Sequence, residues 1–147
     1  MLKKILLEIY ERDLNNLKKE INLYEDETKL WVLKDGITNS AGNLTLHLIG
    51  NLNHFFGATL DKNGFVRDRD REFTLKNVAR EDLNARIDDA LVVVKQTLNN
   101  LSEADFGKDY PLKFNDKIVK TDFMLIHLAT HLTYHLGQIN YHRRLIS

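Results

Sequence analysis

Three histidines recur at every fourth position near the carboxyl end of the chain: His127, His131 and His135 in the stretch HLATHLTYHLGQ. Each step of four residues advances about 40° around an α-helix, so all three imidazoles fall within a sector of roughly 80°. Neutral imidazole is the commonest protein ligand for divalent transition metals, and two histidines one turn apart can share one ion. The spacing therefore predicts a metal site, with a hydrogen-bonded core network as the alternative.

The residues around this stripe predict that the histidines point inward. Apolar and aromatic residues flank the stripe on both sides, whereas the opposite face carries the hydrophilic residues Thr133, Asn140 and Arg144. That opposite face is the one we expect to meet water. Three neighbouring buried imidazoles cannot all satisfy one another unless protonation is split among them, and a bound cation resolves this conflict.

A further ligand should come from another helix, and the segment AGNLTLHLIGNLNHFFG offers two histidines. His47 and His54 are seven residues apart, which separates them by about 10 Å along a helix axis, so at most one of them can share the ion. Together with Asn43 and Asn51 they form a polar stripe beside the main apolar face. The alternative that this stripe is solvated stays open.

The chemistry that such a site supports is catalytic. Three neutral imidazoles leave one or two coordination positions open, and a metal held in this way lowers the pKa of a bound water or thiol and polarises an electrophile. The chain has no cysteine, and Ser40, Ser102 and Ser147 lie outside any GxSxG motif, which argues against nucleophilic hydrolysis. No glycine-rich phosphate loop, HExxH motif or di-iron spacing occurs either.

Four segments carry the apolar periodicity of amphipathic helices, at about residues 2–24, 41–60, 78–101 and 122–144. The third begins at either Val78 or Glu81. Ser40 is placed to cap the second helix and Thr121 the fourth. With two longer connections between the helices, we predict an all-α fold, a four-helix bundle with a long crossover loop, in a single domain over residues 1–147.

The two longer connections carry their own signals. Residues 61–76, DKNGFVRDRDREFTLK, are polar and contain Gly64, which predicts a connecting loop. Its charged run RDRDRE is expected to be solvated or locally salt-bridged rather than to hold a substrate. Residues 110–120, YPLKFNDKIVK, alternate weakly around Asn115 and Asp116, which predicts a short hairpin before the last helix.

Composition limits the partners that the chain can have. The 21 basic and 21 acidic residues give a formal net charge of zero and are spread along the chain, which argues against nucleic acid. Glu8 interrupts the apolar start MLKKILLEIYERD too early for a signal peptide, and no stretch approaches the length of a membrane span. We therefore expect a cytoplasmic protein, without membrane or nucleic-acid partners, that acts on a small molecule.

The chain resembles the DinB and YfiT-like superfamily of metalloenzymes, which are four-helix bundles whose metal is held by one histidine of the second helix and an HxxxH pair of the fourth. The matching residues are His47 in SAGNLTLHLIGN, and His131 and His135 in HLATHLTYHLGQI. The segment GFVRDRDREF resembles the connecting segment of an uncharacterised branch of that superfamily. The resemblance implies these three histidines as ligands of a divalent metal, with zinc or nickel expected.

The resemblance also implies a chemistry. Members of the superfamily include transferases that use low-molecular-weight thiols and proteins described as metal-dependent hydrolases. We therefore expect either the transfer of a low-molecular-weight thiol, as co-substrate, to an electrophile or the hydrolysis of a small molecule. The alternative is a non-catalytic bundle that acts as an interaction or metal-sensing module. Relatives frequently dimerise, so a homodimer is a further expectation.

Five further residues are candidates for roles near the site. His54 and His127 are candidate catalytic residues that could act as a general base, and the alternative for each is an ordinary core or surface position. Asn51, Tyr134 and Gln138 are candidates for lining a pocket.

The residues just after the last ligand depart from the pattern of the resembling superfamily. Where many relatives carry arginine before the glycine, this chain has Leu136 before Gly137, which removes a contact for an anionic substrate. Gly137 costs about 1 kcal/mol in helix propensity relative to alanine, which indicates either close helix packing or room near the site. His142 is expected to lie outside the site.

Overall fold

The computed structural model describes residues 1–146, and its regular structure is all-helical. The five α-helices are α1 (Leu2–Asn22), α2 (Ala41–Leu52), α3 (Arg69–Thr74), α4 (Arg80–Asn100) and α5 (Thr121–Ile146). Shorter helical turns are the 3₁₀ turns Glu27–Trp31 and Glu103–Gly107 and the π turn Asn53–Ala58. No β-strand occurs among the described residues. The prediction of an all-α fold is confirmed, and the arrangement is compatible with a helical bundle.

Helix α1 forms because apolar side chains recur along it at steps of three and four residues. This stripe is buried and consists of Leu6, Tyr10, Leu14, Leu17 and Ile21. It packs against α4 and α5. Tyr10 Oη donates a hydrogen bond to the Leu125 carbonyl oxygen at 2.6 Å, which ties α1 to α5 in the interior.

Helix α2 lies in the interior, and every one of its residues is buried. It contacts α3, α4, α5 and the Glu27–Trp31 turn. As predicted, Ser40 caps it, because Ser40 Oγ accepts a hydrogen bond from the Asn43 backbone N–H at 3.2 Å. Of the polar stripe, Asn43, His47 and Asn51 are buried rather than solvated, whereas His54 is half-buried in the π turn. The helix continues into the π turn and ends at Ala58, slightly before the predicted end.

The connection after α2 contains a helix where we predicted only a loop. Helix α3 begins where Asp68 Oδ1 accepts a hydrogen bond from the Arg71 backbone N–H at 3.3 Å. Asn43 Nδ2 donates to the carbonyl oxygens of Glu72 and Leu75 at 2.9 and 2.8 Å, so α2 holds the end of α3. The loop prediction fails because the charged run contains a buried residue, Glu72, which only tertiary contacts reveal.

Helix α5 departs from its prediction in two respects. It begins at Thr121 itself, so this residue is not its N-cap. The face that we expected to meet water packs partly on α1 instead. Thr133 Oγ1 donates to Asp13 Oδ2 at 2.6 Å, and Asn140 Nδ2 donates to Glu20 Oε1 at 2.8 Å. Polar pairs hold these two helices together along that face, and hydrophobic periodicity gives no signal of such pairs.

The connection before α5 forms a hairpin-like turn without strands in the described residues. Two isolated antiparallel bridges occur there, one of which joins Phe114 to Lys117. Asn115 and Asp116, which lie between Phe114 and Lys117, have positive φ angles of 49° and 61°, as in a type I′ turn. The turn residues were therefore predicted correctly. None of the described helices is both long and apolar enough to cross a bilayer.

Candidate metal centre

Three histidine side chains converge between α2 and α5. They are those of His47 on α2 and of His131 and His135 on α5. His131 Nε2 lies 3.2 Å from His47 Nε2 and 3.1 Å from His135 Nε2. One nitrogen atom of each ring lies within 4.8 Å of the other two. We call these three residues the histidine triad. A group with this spacing could hold a metal ion.

His47 is oriented by an ion pair from the α3 region. Its Nδ1 lies 3.0 Å from Glu72 Oε1, and both side chains are buried. Arg67 binds the same carboxylate with two hydrogen bonds, from Nε to Oε2 at 2.8 Å and from Nη2 to Oε1 at 2.9 Å. Because a carboxylate only accepts hydrogen bonds, His47 Nδ1 carries the proton and Nε2 presents its lone pair to the rest of the triad.

The buried Glu72 is held in its charged form. Burial by itself raises the pKa of this carboxyl group, but hydrogen bonds from His47 and Arg67, with the charge of the guanidinium, outweigh burial, so the pKa lies below its ordinary value. A carboxylate in contact with the outer nitrogen of a metal-binding histidine fixes the ring and raises its basicity. Glu72 can take that role for His47.

Gly50 makes room for this carboxylate. A Cβ atom at position 50 would lie 1.9 Å from Glu72 Oε2 and 2.5 Å from Glu72 Cδ. The missing side chain, three residues after His47, lets α3 approach α2 until the carboxylate reaches the imidazole. The glycine is therefore required by a close approach, not by a turn.

Gly50→Ala is expected to lower the affinity for Zn²⁺ by about tenfold, because the new methyl group displaces the Glu72 carboxylate from His47. Competition with a chromophoric chelator measures the affinity. Gly137→Ala is the matched control, since nothing lies within 4 Å of a Cβ added there. We expect it to leave the affinity unchanged. Equal affinities for Gly50→Ala and the wild type would contradict the positioning role of Glu72.

His135 is oriented from its own helix. Its Nδ1 lies 2.6 Å from Gln138 Oε1, and Gln138 Nε2 donates to Tyr134 Oη at 3.3 Å. Since the amide nitrogen faces the tyrosine, Gln138 Oε1 accepts the proton of His135 Nδ1. His135 Nε2 therefore presents a lone pair, as His47 Nε2 does. His131 Nδ1 is buried and has no hydrogen-bond partner among residues 1–146.

The three Nε2 atoms of the triad cannot satisfy one another by hydrogen bonds. His47 Nε2 and His135 Nε2 each present a lone pair, and a proton on His131 Nε2 could be donated to only one of them. Neutral imidazole nitrogens that converge in this way are the donor set that zinc and similar ions bind. The residues present therefore fit a three-histidine metal site better than a hydrogen-bonded network.

His131 and His135 are held neutral, which is the state that binds a metal. Burial, together with the neighbouring His135 and His47, lowers the pKa of His131 to about 4. Burial also lowers the pKa of His135, although its hydrogen bond to Gln138 opposes this effect. Both rings are consequently unprotonated near neutral pH.

The metal-free protein is expected to lose stability as the pH falls from 6.5 towards 4. Folded His131 resists protonation down to a pKa of about 4, whereas the unfolded chain takes up the proton near the ordinary value of 6.5, so acid favours unfolding. Because the ring is only half-buried, we expect about 1 kcal/mol from this residue. Urea unfolding at pH 7 and pH 5 measures the loss. If His131→Ala does not shrink the difference between the two pH values, the neutral state assigned to His131 is wrong.

The other candidates take positions outside the triad. The ring of His127 packs on that of Phe114 with centroids 4.4 Å apart, and the ring of His54 packs on that of Phe55 at 4.7 Å. Asn51 is buried, and its Oδ1 has no hydrogen-bond partner within the described part of the chain. The catalytic roles considered for His54 and His127 remain predictions.

The structure also tests the predictions made for His142 and Gly137. His142 lies outside the triad, where its Nε2 donates to the Val32 carbonyl oxygen at 2.8 Å and its Nδ1 accepts from Tyr24 Oη at 2.5 Å. At Gly137 no atom lies within 4 Å of an added Cβ, so the expectation of close helix packing is wrong. The alternative, room beside the site, agrees with this open position.

A cleft of about 420 Å³ adjoins the triad between the second half of α5 and the loop at residues 34–39. His135 lines this cleft, as do the two pocket candidates Tyr134 and Gln138. One member of the triad is therefore accessible from a space large enough for a small molecule.

The sequence did not lead us to Arg67, Glu72 or Gly50. The charged run was expected to be solvated or locally salt-bridged; the ion pair exists, but it is buried against His47. One signal was present in the chain. A glycine inside an apolar helix, three residues after a candidate ligand, is typical of a close approach by another element.

The family model described as "Protein of unknown function (DUF1572)" matches residues 4–147, which include α1 except its first two residues, the other four helices and the histidine triad. A search of curated proteins found no match.

Proposed function

Since the chain belongs to the DUF1572 family, we propose its function from the site itself: it is a metal-dependent enzyme that transfers a low-molecular-weight thiol to an electrophilic small molecule. In this proposal His47, His131 and His135 hold a zinc or nickel ion. The observation that carries it is the convergence of three imidazole nitrogens, two of which have their lone pairs fixed toward the third. The resemblance to the DinB and YfiT-like four-helix-bundle superfamily, at the same three histidines, supports it.

Residues around the triad orient its imidazole rings. Glu72 holds the proton on His47 Nδ1, and Gln138 holds the proton on His135 Nδ1, so both rings keep a fixed orientation. A divalent ion held by these histidines would lower the pKa of a thiol or water bound to it. His135 belongs to both the triad and the cleft, so a molecule in the cleft lies beside the triad.

The transfer itself is a substitution. The thiol releases its proton to solvent, its sulfur forms a bond to the electrophilic carbon, and the bond from that carbon to its leaving group breaks, so that the leaving group departs with the bonding electrons. No oxidant or reductant is needed. The cleft would bring the two reactants together in one orientation, which converts an encounter in solution into a reaction between bound groups.

Turnover of monochlorobimane with glutathione and other low-molecular-weight thiols tests the proposal, because displacement of its chloride by a thiol produces fluorescence. Untagged protein loaded with Zn²⁺ or Ni²⁺ is expected to accelerate this reaction, whereas His131→Ala is expected to be inactive. Lys117→Gln, which changes an exposed side chain outside both the triad and the cleft, is the control and is expected to retain activity.

Two outcomes would contradict the proposal. Equal rates for the wild type and His131→Ala would exclude the triad from the reaction. A metal-loaded wild type that turns over neither this nor other electrophiles with any thiol would favour the alternative, a metal-sensing or interaction module without catalysis.

A further inference from the structure

We infer that the cleft beside His135 binds small molecules that combine an aromatic or apolar group with a carboxylate, and that Tyr141 and Lys34 recognise these two parts. The inference deepens the proposed function and rests on it only for what happens to the molecule after binding.

The position of the cleft relates it to the triad. It lies between the α5 residues that follow His131 and the loop at residues 34–39, and His135 belongs to its lining. A molecule in the cleft therefore has one end against an imidazole of the triad. At about 420 Å³ the cleft has the size of a small-molecule site.

The walls of the cleft are largely apolar and aromatic. Its aliphatic lining residues are Ile37, Leu44, Leu145 and Ile146. Tyr134 and Tyr141, two turns apart on α5, also line it, and each is 64% exposed. Two exposed aromatic rings that face the same cleft offer surfaces on which a planar apolar group can pack.

One lysine in the lining of the cleft offers a partner for an anion. Lys34 lines the cleft, and its Nζ lies 3.5 Å from the Leu145 carbonyl oxygen at the end of α5; no ion pair of Lys34 occurs among the described residues. The carboxylate in the lining belongs to Asp35, the neighbour of Lys34 in the chain. A carboxylate on the ligand would pair with Lys34.

Dansylglycine and dansylamide test the inference, since they share the aromatic group and differ in the carboxylate. Fluorescence titrations on the metal-free protein are expected to give dansylglycine about tenfold the affinity of dansylamide. Lys34→Gln is expected to abolish this preference, while Tyr141→Ala weakens both probes about fivefold and keeps their ratio. Lys117→Gln removes an exposed lysine outside the cleft and is expected to change nothing.

Equal affinities for the two probes in the wild type would overturn the inference, as would a preference that survives Lys34→Gln or disappears equally in Lys117→Gln. Since no metal is present in these titrations, their outcome is separate from that of the proposed enzyme. A protein that binds no metal but prefers dansylglycine would support the inferred ligand site in the cleft and refute the proposed metal-dependent enzyme. Metal-dependent turnover by a protein without that preference would support the enzyme and refute the ligand site.

Discussion

His131→Ala is expected to reduce the affinity for Zn²⁺ at least a hundredfold. His131 Nε2 is the middle atom of the triad, 3.2 and 3.1 Å from the other two Nε2 atoms. Without it, only one member of the triad remains on each of two helices, and no other group of three possible metal ligands occurs in the described part of the chain. Loss of one of three protein ligands also removes the chelation provided by the pair on α5.

The affinity can be measured by titrating Co²⁺, whose visible absorption reports the ligand set, followed by displacement with Zn²⁺. His127→Ala is the matched control because it removes the same kind of side chain one turn earlier on the same helix. That variant is expected to bind both ions as the wild type does. Indistinguishable titrations for His131→Ala and the wild type would show that the metal binds elsewhere.

Glu72→Ala is expected to lower both stability and metal affinity. It leaves the largely buried Arg67 guanidinium without its carboxylate, and breaking a buried pair in this way costs about 3–5 kcal/mol. It also removes the acceptor that orients His47, which is expected to weaken Zn²⁺ binding by about 10–100-fold. Urea unfolding of the metal-free protein and chelator competition measure the two effects.

A double variant separates the two roles of Glu72. In Arg67→Leu with Glu72→Leu both charges disappear together, so most of the lost stability should return, because apolar side chains often replace a buried ion pair without loss. The metal affinity should stay low, since nothing accepts the proton of His47. If the double variant recovers full affinity along with its stability, Glu72 serves the fold alone.

The long helices could be predicted from the sequence because each buries one face of regular spacing. The stripe of α1 and the cap at Ser40 before α2 both appear in the structure as the periodicity and the cap preference indicate. The short helix α3 could not be predicted in the same way. Its six residues contain one buried carboxylate, and that residue is buried by contacts with Arg67 and α2 rather than by apolar surface.

The candidate site was predictable in part for the same reason. Spacing on one helix brings His131 and His135 together, but it also puts His127 on that stripe, and only the packing of α5 on the hairpin-like turn shows that His127 contacts Phe114 instead. Likewise, periodicity alone left His47 and His54 as alternatives. Whether His47 or His54 joins the α5 histidines depends on which turn of α2 faces α5. This is a feature of the tertiary structure, and residue spacing within one helix does not predict it.

The orienting residues were the least predictable part. Glu72 is 25 positions from His47 in the chain, and its run of charged neighbours resembles an ordinary solvated segment. The role of Gly50 can be recognised only once the Glu72 carboxylate is known to lie against it. Gln138, three residues after His135 on the same helix, was reachable from spacing as a neighbour, although not as the acceptor of its proton.

We expect one divalent ion to bind among His47, His131 and His135, and a crystal structure of the Zn²⁺-loaded protein with anomalous data at the zinc edge would show it. The expected result is a single zinc peak with the three Nε2 atoms at about 2.0–2.1 Å and at least one further position open to the cleft. A protein that crystallises with zinc bound only at other residues, or with the triad side chains turned apart, would contradict it.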